Sequence, residues 1–417
     1  MNTQLCLLDN VHNISTLQEN SVIRKIGIEG LYYITHINNI ESILNNGILS
    51  HRQMEQEGMP FTPIYDAEIV SNRKNRSVDT GRVLWDFANL YFQPRNAMLY
   101  RVLREKNNVN EIAILFISPD IIDRDDIYIS SGNAASPSSE LFPGDQGRRM
   151  LNKIRNQIDN EWWNDNDGSK RKMMAECLVP GKIDKKYIRS IYVGSEKIQS
   201  RLTAQMKAIS SKIQVLVNYE MFFSPSWKRS ISGTRISLVK GDMFFSRMQT
   251  LTISVNCVGI MGKGLASTAK YRFPDVYVAY QDLCKRKAIK MGLPYVYQRE
   301  SSVFNELADE VSGDENSASQ TWFLLFPTKN HWRNDADREG IEQGLKWLVD
   351  NYKNKGITSI AMPALGCGLG QLEWREIGPL MCHYLSKMDI DSIVYLPMEG
   401  EVPSEFLDPK FLMSRTT

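Results

Sequence analysis

Cysteine is sparse in this chain: the six residues Cys6, Cys177, Cys257, Cys284, Cys367 and Cys382 are spread over 417 positions, with no CxxC pair and no cluster among the five histidines. That spacing argues against a disulfide scaffold and against a zinc site, and points to reduced thiols in a cytoplasmic protein for which no metal is expected. Charge of one sign is equally scarce. The formal net charge of +2 gives no global signal for nucleic acid, so any basic binding surface must be local. No apolar run approaches the roughly 18 residues that a membrane-spanning helix needs. The opening MNTQLCLLDNVHNIS has no basic segment followed by an apolar core. The expectation is therefore a chain that neither spans a membrane nor carries a secretory signal. Internal repeats and low-complexity tracts are also missing.

What is present is 42% hydrophobic and 24% charged residues over a length too great for one core, which fits two or three domains. In the first half, LYYITHI reads as a strand, and NNIESILNNG as a short helix with Ile40, Ile43 and Leu44 at helical spacing before Gly47. Strand-like runs recur at VLWDFANLYF, EIAILFIS, DDIYIS and ECLVP, separated by long loops, of which the polar stretch 131–170 is the clearest. Apolar content falls in SPSWKRSISGT. The boundaries expected are an N-terminal extension over 1–29, a domain over 30–225, a linker over 226–233 and a second domain over 234–417. In that second domain ISLVKGDMF, TISVNCV, TWFLLFP, ITSIAMP and DSIVYLP alternate with helical signals such as DREGIEQGLKWLVDNY, which predicts a mainly parallel sheet covered on both faces.

Two glycine-bearing loops follow strand-like runs in that half, GIMGKGLAS at 259–267 and PALGCGLGQLEW at 363–374, with Lys329 of FPTKNHWR between them. Backbone amides freed by small residues at strand ends hold phosphate oxygens, so the pair of loops reads as a clamp for a diphosphate. In order, these segments resemble a macrodomain, the ADP-ribose-binding fold, and within it the DarG antitoxin branch. The resemblance covers about 234–400. It implies that Gly241 and Asp242 lie at the adenine, with the aspartate on its amino group, and that Asn256 faces the distal ribose. Gly262, Lys263 and Gly264 then belong to the first phosphate loop, and Gly366, Cys367, Gly368 and Leu369 to the second. Lys329 corresponds to the lysine that releases ADP-ribose from its acceptor. An amine beside the glycosidic carbon acts as acid/base or, when neutral, as nucleophile. Related hydrolases of one subgroup add an aspartate in the second loop where this chain has Gly370, which implies a mechanism dominated by the lysine.

In the first half, YYITHI at 32–37, EIVSNRKNRSV at 68–78, LYFQPRNAMLY at 90–100 and AECLVP at 175–180 together resemble DarT, the DNA-modifying ADP-ribosyltransferase toxins, over about 30–225. The implied fold class is α/β and α+β in two domains, an ADP-ribosyltransferase fold followed by a macrodomain with a mixed, mainly parallel sheet. By this resemblance Glu176 is the catalytic acid/base. Taken alone it reads as a solvated strand-start glutamate paired with Lys172 or Arg171. The essential arginine is Arg73, with Arg76 the alternative, since a guanidinium reads phosphate bidentately. Thr35 and His36 resemble the nucleotide-ribose binders, and Tyr91, Phe92 and Met98 the nicotinamide side of an NAD site. Adjacent strand residues face opposite ways, so at most one of Tyr91 and Phe92 touches NAD.

The DNA surface is expected on 131–172 with Arg95. Asn133, Arg148, Arg149, Lys153, Arg155, Lys170 and Arg171 surround Trp162 and Trp163, and interleaved cations and aromatics suit an unstacked single strand. Asn133 stands where thymidine-modifying relatives commonly have histidine, which leaves thymidine and guanosine both open. The whole reads as a toxin–antitoxin fusion: one half transfers ADP-ribose from its substrate NAD to a base of single-stranded DNA, and the other binds ADP-ribose and removes the adduct. The alternatives are a transferase acting on RNA or protein, and a macrodomain that binds without hydrolysis.

Overall fold

The computed structural model describes residues 27–65, 70–105, 109–309, 320–398 and 400–414, so the expected N-terminal extension lies outside the described residues up to position 26. The chain divides into two compact units, Met1–Val217 and Asn218–Thr417. Among the described residues no helix is long and apolar enough to cross a membrane.

The first unit is built on an eight-stranded sheet. Its spatial order is Gln214–Val217, Ile188–Val193, Ile112–Ile117, Leu31–His36, Phe87–Tyr91, Glu176–Pro180, Tyr128–Ser130 and Leu141–Pro143. Neighbours run antiparallel except Gln214–Val217, which lies parallel to Ile188–Val193. The helix Ile40–Asn46 buries Ile40, Ile43 and Leu44 and stops at Gly47, whose N–H returns to the Ile43 carbonyl. Glycine is required there, since φ is +85° and a Cβ would sit 2.4 Å from the Ile183 carbonyl oxygen.

The stretch 131–170, expected as a polar loop, instead contains the edge strand Leu141–Pro143, the helix Gly144–Ile158 and the start of the helix Ser169–Met173. The longer helix is rich in charge, but Gly147, Leu151, Ile154 and Ile158 form one buried stripe at helical spacing. Trp163 is buried with its ring edge-on to Tyr100, so of the two tryptophans expected at a DNA surface, this one belongs to the interior.

The second unit has a seven-stranded sheet in the order Trp227–Ser230, Ile236–Lys240, Asp391–Tyr395, Ser359–Pro363, Thr250–Asn256, Trp322–Lys329 and Tyr295–Tyr297. The five inner strands are parallel, and both edge strands are antiparallel. Residues 226–233, expected as a linker, are therefore in part an edge strand: Trp227 and Arg229 are half-buried while Lys228 and Ser230 face solvent, the alternation of a strand with one covered face. The helices Gly264–Arg272, Pro274–Lys285, Arg338–Asn351 and Trp374–Leu385 connect the parallel strands. Because those strands point the same way, Pro363, Asn256 and Lys329 end side by side at one rim, where parallel α/β sheets bind ligands.

Candidate active sites

In the first unit the strand pairing aligns Tyr32 with Tyr91 and Tyr91 with Glu176 across the sheet. Glu176 opens its strand and is 1% exposed. Both carboxylate oxygens are occupied: Arg73 donates to Oε2 at 2.9 Å and to Oε1 at 3.3 Å, and the Ala134 N–H donates to Oε1 at 2.8 Å. Ser130 accepts from the Glu176 N–H at 2.8 Å and donates to the Gly132 carbonyl, which fixes the strand start against the 131–139 loop. The sequence-local partners Lys172 and Arg171 are not the ones used. Arg171 donates to Ser139 Oγ, and the Glu176 counter-ion lies 103 positions away.

Burial alone lowers the Arg73 guanidinium. The Glu176 carboxylate beside it outweighs that and holds the group above its ordinary value. Arg76 donates instead to the carbonyls of Ser136 and Ser139, tying down the same loop. Of the two arginines, Arg73 is thus the one paired with the carboxylate.

Sequence reasoning missed a ring cluster next to this pair. The His51 imidazole stacks on Trp85 at 4.2 Å, and the Tyr65 hydroxyl lies 3.1 Å from its Nδ1. Burial, reinforced by the Arg73 cation, lowers His51 to about 4. No motif marks these residues in the sequence. Asn39 was missed likewise: it donates to Thr35 Oγ1 and to the Thr62 carbonyl and accepts from the Thr62 N–H.

Thr35 is buried under Asn39, and His36 accepts from the Asn38 N–H while its Nε2 lies 3.5 Å from Glu111. Tyr91 is half-buried and close enough to Arg73 to act on its charge, whereas Phe92, expected at NAD, packs in the hydrophobic core. Met98 and Arg95 are half-buried.

Two of the expected DNA-binding cations are corrected by their burial. Arg148 lies under the helix start, donating to the carbonyls of Ile122 and Arg124, and Lys170 is paired with Asp165 at 2.9 Å. A cation so enclosed is not free to meet phosphate. Arg155 is half-buried between Asp159 and the Gly27 carbonyl. Arg149 and Lys153 are exposed, while Asn133 accepts from the Ala135 N–H within the loop that covers Glu176.

In the second unit, Asn256 and Lys329 are register partners at the ends of adjacent parallel strands. Lys329 donates from Nζ to the Leu369 carbonyl at 3.1 Å. Gly264, with φ +58°, opens the helix Gly264–Arg272, and a Cβ there would stand 3.1 Å from Leu369 Cδ1. The two glycine loops are therefore neighbours, with the Lys329 ammonium bonded to a carbonyl of the second. The helix N-terminus adds free N–H groups and a positive dipole end beside the exposed Gly262 and Lys263.

Gly366 and Gly368 both have φ +73°. Gly370 is closed to any side chain, since a Cβ would lie 2.2 Å from the Gly366 carbonyl oxygen. Cys367 is half-buried between those glycines. Asn256, expected at a ribose, uses its amide to shape the first loop. It donates to the Ile260 carbonyl and accepts from the Val258 N–H and the Tyr280 hydroxyl. Asp242, just after Gly241, caps the short turn at Phe244 and pairs with Arg272, a partner the sequence did not disclose.

Comparison with known proteins follows the same division. Residues 32–223 match the family described as "ssDNA thymidine ADP-ribosyltransferase, DarT", and residues 311–381 match "Macro domain". A "DNA ADP-ribosyl transferase-DNA ADP-ribosyl glycohydrolase fusion protein" of Thermosipho africanus is 52% identical over 385 residues, covering 92% of this chain and 98% of that protein. The structure of Thermosipho africanus DarTG in complex with ADP-ribose superposes with a TM-score of 0.83 at 49% identity, over 93% of this chain and 100% of that one. A DNA ADP-ribosyl glycohydrolase of Thermus aquaticus is 34% identical over 166 residues, 40% of this chain and 42% of that protein.

Proposed function

The chain belongs to the family of DNA ADP-ribosyl transferase–DNA ADP-ribosyl glycohydrolase fusion proteins, and on that premise we infer that Glu176 writes, and Lys329 erases, ADP-ribose on a base of single-stranded DNA. NAD is the substrate of the first unit. The bond from C1″ of the distal ribose to the nicotinamide nitrogen breaks, and a bond from C1″ to a base nitrogen forms. The proton leaving that nitrogen goes to Glu176, whose carboxylate also faces the positive charge that develops at C1″.

Arg73 is the positioning residue. Its fork holds both carboxylate oxygens and so fixes the place and the charge of Glu176 in the site. Tyr91 lies beside it on the NAD side. The observation that carries the reading is this buried bidentate pair. A glutamate kept only for solubility would not be enclosed with an arginine at the start of a central strand.

The second unit reverses the bond. The Gly262–Gly264 and Gly366–Leu369 turns cradle the pyrophosphate, Asp242 and Asn256 flank adenine and ribose, and Lys329 acts at C1″, where the bond to the base nitrogen breaks, the oxygen of a water bonds to C1″ in its place, and a proton passes to the departing base. The acceptor base is thymidine in the description of the family that residues 32–223 match. Contacts to the strand fall to the exposed cations Arg149 and Lys153, with the half-buried Arg171, Arg95 and Asn133. The scattered spacing of the cysteines in the sequence, which suits reduced thiols, supports action in the cytosol.

The test is to incubate the chain, Glu176→Ala and Lys329→Ala with NAD and a single-stranded oligonucleotide, and to analyse the nucleosides by mass spectrometry. The lysine variant should accumulate a base adduct that the glutamate variant never forms. Label taken up by RNA or protein but not by the oligonucleotide overturns the substrate, and an adduct mass on guanosine overturns thymidine.

A further inference from the structure

Resting on the reading just given for the second unit, we propose that Trp332 is a specificity-determining residue of the eraser, an aromatic platform on which the ADP-ribosylated nucleobase stacks while Lys329 acts on its glycosidic bond. Neither Lys329 nor the glycine loops explains how the unit would hold the DNA side of its substrate, since both face the ADP-ribosyl side.

Trp332 follows Lys329 by three positions and is 45% exposed. A large ring in water on an otherwise ordinary surface marks a contact site when its backbone is fixed and its surroundings match a ligand. Here the backbone is fixed from both sides. The Asn330 carbonyl accepts from the Cys257 N–H at 3.0 Å, which joins the segment to the strand end that leads into the first glycine loop. The Ala336 N–H donates to the Gly370 carbonyl at 2.9 Å, which joins it to the second. Between those ties the chain turns tightly, with Asn334 N–H on the His331 carbonyl and Arg333 N–H on His331 Nδ1. Asp337 then caps the helix Arg338–Asn351. The tryptophan is thus held on a braced turn between the loops that frame the scissile bond.

Its neighbours suit a nucleotide. The Arg333 guanidinium sits 4.6 Å from the ring centroid, and the His331 ring lies 5.4 Å away at 31°. Arg333, whose guanidinium lies over one face of the indole, brings a cation to the phosphodiester flanking a base stacked on the other face, and pairing a cation with an aromatic platform is what single-stranded nucleic acid sites use. Leu369, 54% exposed on the second loop, adds apolar surface next to the Lys329 ammonium. A stacking face discriminates by the planar π-surface of the acceptor. An adduct on a flat base is held, and one on a flexible side chain is not.

The experiment uses the full chain without NAD, so that the first unit has no substrate, and an oligonucleotide modified beforehand by the Lys329→Ala variant. Stacking binds ground state and transition state alike, so Trp332→Ala should raise KM for adduct removal on the order of tenfold or more with kcat little changed. Trp332→Phe should restore most of it, and affinity for free ADP-ribose should match the parent. Unchanged KM in Trp332→Ala overturns the proposal, as does a parallel loss of ADP-ribose affinity, which would make the ring a support for the loops. Failure of the parent chain itself to remove the adduct overturns the reading beneath it and is seen separately.

Discussion

Arg73 and Glu176 meet through two hydrogen bonds of 2.9 and 3.3 Å although 103 positions separate them, and each is almost wholly removed from water. The pair unites a turn from one segment with the first residue of an interior strand, so the contact ties two distant parts of the first unit together.

Removing one partner leaves the other charge buried. Arg73→Ala is expected to destabilise the chain by about 3 kcal/mol or more, seen as a lower midpoint of thermal unfolding, and to abolish DNA modification. Glu176→Gln keeps the shape and still accepts a hydrogen bond but leaves the buried Arg73 cation uncompensated, so it should lower stability as well as rate, the rate of the folded chain by roughly 10²- to 10⁴-fold. A Glu176→Gln chain that modifies DNA at the parental rate would remove the carboxylate from the mechanism.

How much of this was legible beforehand differs between the halves of the pair. YYITHI, AECLVP and the two glycine loops mark strands and turns whose pattern is local, and they fell where the sequence put them. The Glu176 partner could not be read locally. Sequence proximity favours Lys172 or Arg171, and only the sheet brings Arg73 to the carboxylate. The helix Gly144–Ile158 was hidden by its charge. The polar residues around Gly147, Leu151, Ile154 and Ile158 make the stretch read as a solvated loop, although they leave the period of the buried stripe undisturbed. The edge strand Trp227–Ser230 was hidden by its serine, lysine and arginine, which are what a solvent-facing edge carries. His51, Tyr65 and Trp85 come from separate segments and acquire meaning only by stacking.

His51 gives a pH dependence with a definite sign. Its folded-state value, about 4, lies below the ordinary 6.5, so the unfolded chain binds the proton first as pH falls. The His51 contribution to stability is therefore constant above about pH 7, declines between 6.5 and 4, and adds no further slope below 4. The full effect is at most about 3 kcal/mol, at about 1.36 kcal/mol per pH unit. Denaturant unfolding of the full chain across about pH 4–7 should show His51→Phe with a shallower decline than the parent. Equal slopes would mean that the imidazole takes up its proton without leaving the Trp85 stack.

Lys329→Arg separates charge from proton transfer. Arginine keeps the cation near the Leu369 carbonyl but does not give up its proton, so acid/base or nucleophilic action is lost while electrostatic attraction to the diphosphate stays. Adduct removal should fall at least about a hundredfold with ADP-ribose affinity within a few-fold of the parent. Parental turnover by the arginine variant would reduce the lysine to a charge.

Gly370 makes the strongest demand on the second loop. Some hydrolases with this architecture place an acid in that loop, and Gly370→Asp would be the obvious way to add one here. The backbone forbids it, because a Cβ at 370 falls 2.2 Å from the Gly366 carbonyl oxygen and 2.9 Å from Ala336 Cβ. The neighbours within reach are main chain and a short side chain, so nothing flexible gives way. The Gly370 carbonyl also receives the Ala336 N–H that braces the turn carrying Trp332. Gly370→Asp and Gly370→Ala should therefore fail alike, losing both ADP-ribose affinity by calorimetry and adduct removal, because the loop is displaced whatever the side chain's chemistry. A Gly370→Asp chain that removes the adduct faster than the parent would show that the loop yields, and that a second acid was excluded by something other than space.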